Sequence, residues 1–269
     1  MRNITILLSV FVFALFLSSC EEIPQVSDEL VVSNTTLSQI ASAGYNQTGV
    51  TAEFNENGTR VYRVEGCYEF TDEDIANLAP TPMAIRISEE QYRTTLLVTG
   101  LPRVITVSLS TKLPSSYTAA LDLAISRYNA QNLQLTFQRV SSGANISFVA
   151  APRNSGYLAS AGFPTSTGNP YGTIKINVSA IGNQPQGTVA SIMAHEMGHC
   201  IGFRHTDYMD RSYSCGGSFY NEGASTVGAI FIPGTATGPD ANSWMLSCIG
   251  AGDDRPFNNN DKTALGYLY

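Results

Sequence analysis

Histidine is scarce in this 269-residue chain, at three residues, and the 15 lysines and arginines are outnumbered by 22 aspartates and glutamates. Nowhere do the basic residues cluster, which argues against a nucleic-acid partner. No stretch after residue 20 is apolar enough to cross a membrane. No internal repeat or low-complexity tract is present, so a solenoid or fibrous architecture is excluded. With so few histidines, any imidazole chemistry must be concentrated at one place.

The charge that is present is unevenly spread. Residues 21–100 carry 13 acidic and 4 basic side chains, net -9, whereas residues 101–269 carry 9 acidic and 10 basic, net +1. That shift divides the chain into two units with different surfaces, joined near residue 100.

The first residues read as an export signal. One positive charge in Met1-Arg2-Asn3 precedes an almost wholly apolar run from Ile4 to Leu17, too short for a stable span. The run ends in Leu17-Ser18-Ser19-Cys20, which resembles a bacterial lipobox. In that reading Cys20 is lipidated and becomes the mature N-terminus. The alternative is an ordinary secretory signal cut at the serines. The chain is therefore expected outside the cytoplasm, at the cell envelope or surface, touching the membrane through an N-terminal lipid only.

Three segments follow: 1–20 as lipoprotein signal peptide, 21–102 as a tether and small α+β unit, and 103–269 as the main domain. In the small unit a helix is expected over Thr36 to Ala43 and strands over Val50 to Phe54 and Arg60 to Phe70. Thr71 with Asp72, Glu73 and Asp74 reads as a capped helix start. In the main domain Ile105, Val107 and Leu109 alternate with polar residues as a strand. Tyr117, Ala120, Leu121, Ala124, Ile125 and Tyr128 recur with helical period. Strands are expected at Leu133 to Phe137, Ile146 to Val149 and Ile174 to Val178. A helix capped by Thr188 then runs to about Ile201. The order gives an α+β domain, a twisted mixed sheet on two long helices, with a loop-rich C-terminal part and a last helix from Asp261.

The second long helix carries His195-Glu196-Met197-Gly198-His199, followed by Gly202 and His205. Histidines four residues apart project from one helical face, so both imidazoles can meet one ion. Gly202 can adopt the left-handed conformation that ends the helix and turns the chain back. His205 then closes the site. Three neutral imidazoles leave zinc an open coordination position, the arrangement of catalytic rather than structural sites. Glu196, beside the pair, is placed to act as general base towards a water on the ion. The full pattern would arise by chance about once in a million such chains, so it is specific.

These residues form the metzincin signature HExxHxxGxxH, and the stretch through Thr206-Asp207 resembles the bacterial dual-action HEIGH metallopeptidases. The resemblance implies a metzincin-like catalytic domain and a zinc endopeptidase. It also implies a Met-turn beneath the metal, with Met245 in Ser243-Trp244-Met245-Leu246 as its counterpart. Residues after Met245 would wall the pocket for the side chain following the cleaved bond, and an edge strand, expected over Gly172 to Val178, would pair with the substrate. Gly156 to Pro164 is similar to the matrixin segment before the edge strand, but Ser160 stands where matrixins use a histidine for a second zinc. Ser247 stands where astacins and serralysins have a tyrosine ligand.

The expectation is thus one catalytic Zn²⁺ on His195, His199 and His205, with Glu196 as base and a protein or peptide as substrate. The alternative is a surface-anchored metal-containing binding protein without turnover, against which the intact Glu196 argues. Calcium at the polar loop Asp253 to Asp261 has no comparable support. Asp207 reads equally as an orienting carboxylate or as a turn residue. Of the four cysteines beyond Cys20, Cys215 and Cys248 are the first choice for a disulfide, because it would tie down the long loop between His205 and Met245. Cys200 is then either free and buried or bridged to Cys67. The acidic segment 21–102 is expected to restrain the enzyme, with Cys67 as one candidate zinc ligand.

Overall fold

The computed structural model describes residues 30–43, 45, 47–78, 91–225, 227–236 and 240–269; the signal segment with Cys20 lies outside the described residues, as do residues 79–90. Among the described residues no helix is long and apolar enough to cross a membrane.

The N-terminal unit contains α1 (Asn34–Ser42), β1 (Thr51–Phe54), β2 (Arg60–Val64), β3 (Tyr68–Thr71) and α2 (Asp72–Ala76). Its strands form one antiparallel sheet, β1-β2-β3. The single strand expected over Arg60 to Phe70 is in fact two. Glu65 and Gly66 take φ of 54° and 76°, a left-handed pair that reverses the chain. Thr71 caps α2 as expected, in a reciprocal capping box with Asp74. The unit has its own core of Ile40, Tyr62, Val64, Tyr68, Phe70 and Ile75, completed by Phe163 from the following domain.

The main domain has β4 (Tyr92–Arg93), β5 (Arg103–Leu109), α3 (Tyr117–Asn129), β6 (Leu135–Arg139), β7 (Ile146–Ala150), β8 (Ala159–Ser160), β9 (Thr173–Ile176), α4 (Val178–Ile181), α5 (Gln186–Cys200), α6 (Ser212–Cys215), β10 (Ile230–Phe231) and α7 (Asn259–Leu268). The main sheet has the order β6-β5-β7-β9-β8. All pairs are parallel except β8 with β9. The edge strand is therefore β8, not the Gly172 to Val178 stretch, which pairs on both sides. Val178 itself already begins α4, capped by Asn177.

Of the periodic positions of α3, Tyr117, Ala120, Leu121, Ala124 and Tyr128 are buried and Ile125 is half-buried against the core, and Tyr128 donates to the Ala194 carbonyl at 2.7 Å, fastening α3 to α5. Leu121 is fully buried in this core, where truncation to Ala would cost about 2–5 kcal/mol. Helix α5 begins two residues before Thr188, after Pro185. Thr188 lies inside it, buried, and is not the cap. Proline supplies a pre-set φ at the helix start without a side-chain cap.

The loop-rich C-terminal part is tied to the domain at several points. A disulfide joins Cys215 and Cys248, and Cys67 and Cys200 are both free and buried. Asp261 closes a capping box with Asn258 and accepts from Gln91 and Ser243. Asp253 accepts from the Gly250 amide, and Asp254 from Arg127 and Ser191. The carboxylates of the 253–261 loop are thus spent singly on local contacts and do not converge as calcium ligands would.

Candidate metal centre

Helix α5 is buried on nearly every side, which fixes its histidines rigidly. Two glycines explain its local geometry. A Cβ at Gly198 would lie 2.6 Å from Met245 Sδ and 3.1 Å from Trp244 Nε1, so only glycine lets the Ser243–Leu246 turn press against the helix between the two histidines. Gly202 has φ of 110°, and a Cβ there would meet Leu97 at 2.7 Å. Its carbonyl accepts from the Thr94 amide, and the chain turns back to deliver His205.

The three imidazoles come together. His199 and His205 place their Nε2 atoms 3.1 Å apart, and the His195 ring centroid lies 4.6 Å from that of His199 and 5.2 Å from that of His205. Each Nδ1 faces an oxygen acceptor: the Trp244 carbonyl for His195 at 2.9 Å, the Phe203 carbonyl for His199 at 2.8 Å, and Glu222 Oε1 for His205 at 2.7 Å. A carbonyl can only accept, so Nδ1 carries the proton in His195 and His199; Glu222, flanked by Arg204 and Arg211, accepts from His205 Nδ1 in the same way, and each Nε2 is left with its lone pair. Two lone pairs 3.1 Å apart cannot hydrogen-bond to each other. They fit a cation between them. Burial also pushes His195 down to about 4 and the other two well below the usual imidazole range, so the rings are neutral, as ligands must be.

Glu196 is buried, and its Oε2 has no hydrogen-bond partner. Burial, with Glu69 adding to it against Arg63, pushes its carboxyl up to about 8. Met245 lies fully buried beneath the histidines, and its carbonyl accepts from the Thr206 amide. Asp207 reaches neither Thr206 nor a histidine. It accepts from the Ser247 amide, the Ser247 hydroxyl and Ser214, tying the turn after His205 to the segment after Met245.

Cys67 enters this site from the N-terminal unit. Its Sγ lies 3.8 Å from His205 Nε2, and with His199 and His205 it forms a group whose ligand atoms are all within 4.8 Å of one another. No bridge to Cys200 forms, because Cys200 is buried in the core on another face of α5. The Cys67 carbonyl accepts from the Ala161 amide and the Ser160 hydroxyl, so the N-terminal unit lies along the edge of the main sheet. A buried ionic cluster backs that contact: Lys175 of β9 sits 2.7 Å from Glu53 and 3.1 Å from Glu69, and Arg63 holds the same two carboxylates.

Sequence reasoning missed Glu222 and Tyr68. Tyr68 donates to Glu222 Oε2 at 3.0 Å, while Arg204 and Arg211 flank the same carboxylate. Glu222 sits in an aperiodic loop; its one sequence signal is that no other glutamate follows Glu196.

A family model of the dual-action HEIGH metallo-peptidases matches residues 61–269. The chain belongs to that family. As a dual-action HEIGH metallopeptidase it carries His195-Glu196-Met197-Gly198-His199 as its form of the family's namesake motif, with Met197 in place of isoleucine and fully buried in the core. Two solved structures of myroilysin are similar to it. One has 17% identity and a TM-score of 0.43, covering 65% of this chain and 96% of that one. The other has 14% identity and a TM-score of 0.41, covering 71% of this chain and 97% of that one. No curated protein matches this metallopeptidase.

Proposed function

We propose that this metallopeptidase is an endopeptidase with one zinc ion held by His195, His199 and His205, kept latent by its N-terminal unit. The observation that carries the reading is the set of three Nδ1 contacts, which turns the Nε2 lone pairs inward. Three nitrogen donors with a carboxyl group beside them match zinc better than the oxygen-seeking cations.

When bound, zinc supplies Lewis-acid polarisation of the scissile carbonyl and acidifies water. The chain's own residues do the rest. Glu196, buried with an unpaired Oε2 beside the histidines, takes a proton from the attacking water and returns it to the leaving amine. Strand β8, once uncovered by the N-terminal unit, offers its outer edge to an extended peptide as an added strand. Gly198 and Met245 hold the histidine pair against a rigid floor. Cys67 would supply a sulfur to the same ion, and its backbone covers the strand edge, so both functions would be blocked until the N-terminal unit leaves.

Glu196→Ala tests the assignment. It should retain one zinc per chain while hydrolysis of a peptide falls by about 10²–10⁴, the usual contribution of a general base. Undiminished hydrolysis would sink the mechanism, and absence of zinc would sink the site. Export with a lipid on Cys20 belongs to the same proposal; Cys20→Ser should move the protein from the membrane fraction to the soluble one.

A further inference from the structure

Beside the histidines lies a cavity of about 340 Å³. Its walls are mostly apolar, with Leu158, Ile192, Trp244, Leu246 and Ile249 contributing, but two arginines also line it, Arg211 and Arg255. Arg211 is already committed, to Glu222 at 3.2 Å and to the Glu65 carbonyl at 2.9 Å. Arg255 is not. Among the described residues no carboxylate stands within ion-pair distance of it, and its one side-chain hydrogen bond is from Nη1 to the Cys248 carbonyl, 2.7 Å. Its backbone amide donates to Ser191, which anchors the residue to α5.

The acids nearest in charge to Arg255 are all occupied elsewhere. Asp253 accepts from Gly250, Asp207 from Ser247 and Ser214, and Asp261 from Gln91 and Ser243. Burial therefore outweighs their attraction and holds the Arg255 guanidinium below its ordinary range. A half-buried cation with donors to spare, at an otherwise apolar wall, is short of an anion. The N-terminal unit contributes Glu65 to the wall of the same cavity.

We infer that Arg255 is a specificity-determining residue, and that the cavity takes an acidic side chain, Asp or Glu, at the position following the cleaved bond. This rests on the endopeptidase reading above. Arg255 would bind the substrate carboxylate through its unused N–H groups, the geometry in which guanidinium is strongest. A neutral isostere in the same pocket would leave that cation unmatched, so discrimination should be large.

The test uses the whole exported, zinc-loaded chain, after limited proteolysis of the segment before residue 91. Its substrates are peptides identical except at the residue after the cleaved bond: Asp, Glu, Asn, Gln, Leu or Lys. The expected result is a kcat/KM for Asp or Glu at least about tenfold above Asn, Gln and Leu. Arg255→Gln should erase that ratio, Arg255→Lys should keep part of it, and Arg255→Glu should favour Lys. Wild-type preference for Leu, or an acidic preference that survives Arg255→Gln, would overturn the inference while leaving the peptidase intact. The wild-type series decides the matter even if a variant fails to fold. Cleavage of none of the peptides would overturn the endopeptidase reading, and this inference with it.

Discussion

His205 Nδ1 donates to Glu222 Oε1 at 2.7 Å, over a sequence separation of 17 that contains no strand and only the single turn of α6. The contact fixes which ring nitrogen carries the proton and which direction the other one faces. Glu222 is in turn held by Tyr68, Arg204 and Arg211, so a fully buried carboxylate is supported on every side. Glu222→Gln should therefore weaken zinc binding by about 10–100-fold, the usual effect of losing a carboxylate behind a histidine ligand. Competition with a chromogenic chelator reads it directly. Unchanged affinity would mean that the Phe203 and Trp244 carbonyls alone orient the site.

The Cys215–Cys248 disulfide, with a sequence separation of 33, closes the loop that carries Glu222. A closed loop of that length removes chain entropy from the unfolded state worth about 3–4 kcal/mol. Cys215→Ser with Cys248→Ser should lower stability in urea by about that amount. Zinc should also exchange faster, since Asp207 and Ser214 anchor beside the bridge. A shift in stability with no change in exchange would separate the loop from the metal site.

The meeting of the three histidines was legible from the sequence because one helix and one turn carry them. His195, His199, Gly202 and His205 lie within eleven residues, where one helical turn and one glycine reversal bring the side chains together. The helix α3 was legible for the same reason, a sustained period. Legibility failed where partners are distant in the chain. The edge strand was misassigned because β8 is only two residues long, Ala159–Ser160, too short to show alternation. Thr188 looked like a cap because threonine often is one, but Pro185 had already set the helix start. Glu222, Tyr68 and Arg255 reach the site from separate loops and strands, and no local pattern marks such convergence.

Acid should loosen the N-terminal unit. Burial works to raise the Glu53 carboxyl, but the hydrogen bond from Lys175 and the charges of Arg63 and Lys175 outweigh it and hold the group below its ordinary value of 4.5. Since the folded-state value is the lower one, this contribution to docking is full above about pH 4.5 and is lost as pH falls through the depressed value. Glu53→Gln should reproduce the loss at neutral pH. A partly exposed pair of this kind is worth about 1 kcal/mol, so exchange of the Ala161 amide, which donates to the Cys67 carbonyl, should quicken about fivefold. Exchange that is indifferent to both acid and Glu53→Gln would assign the docking to the shared apolar core around Phe163.

Cys67 should act as a brake on catalysis. Its thiol lies among the histidine Nε2 atoms, and its carbonyl occupies the edge that a substrate strand would need. These are two separate obstacles on one residue, one made by the side chain and one by the backbone. Removing only the sulfur should release the first and leave the second, so Cys67→Ala in the full chain should raise kcat/KM by about tenfold, the equivalent of 1.4 kcal/mol of lost restraint. Limited proteolysis of the segment before residue 91 should release both and raise it further. Cys67→Ser separates the roles, since a hydroxyl keeps the polarity and size of the thiol but is a poor zinc ligand at neutral pH; it should behave like Cys67→Ala if sulfur ligation is what matters. Burial drives the metal-free Cys67 thiol well above its ordinary range, so the brake should also depend on the ion being present to stabilise the thiolate. Apo chain should therefore expose Cys67 to a thiol reagent once locally opened, and zinc-loaded chain should protect it. Equal activity of wild type, both variants and the proteolysed chain, all zinc-loaded, would reduce the N-terminal unit to a tether.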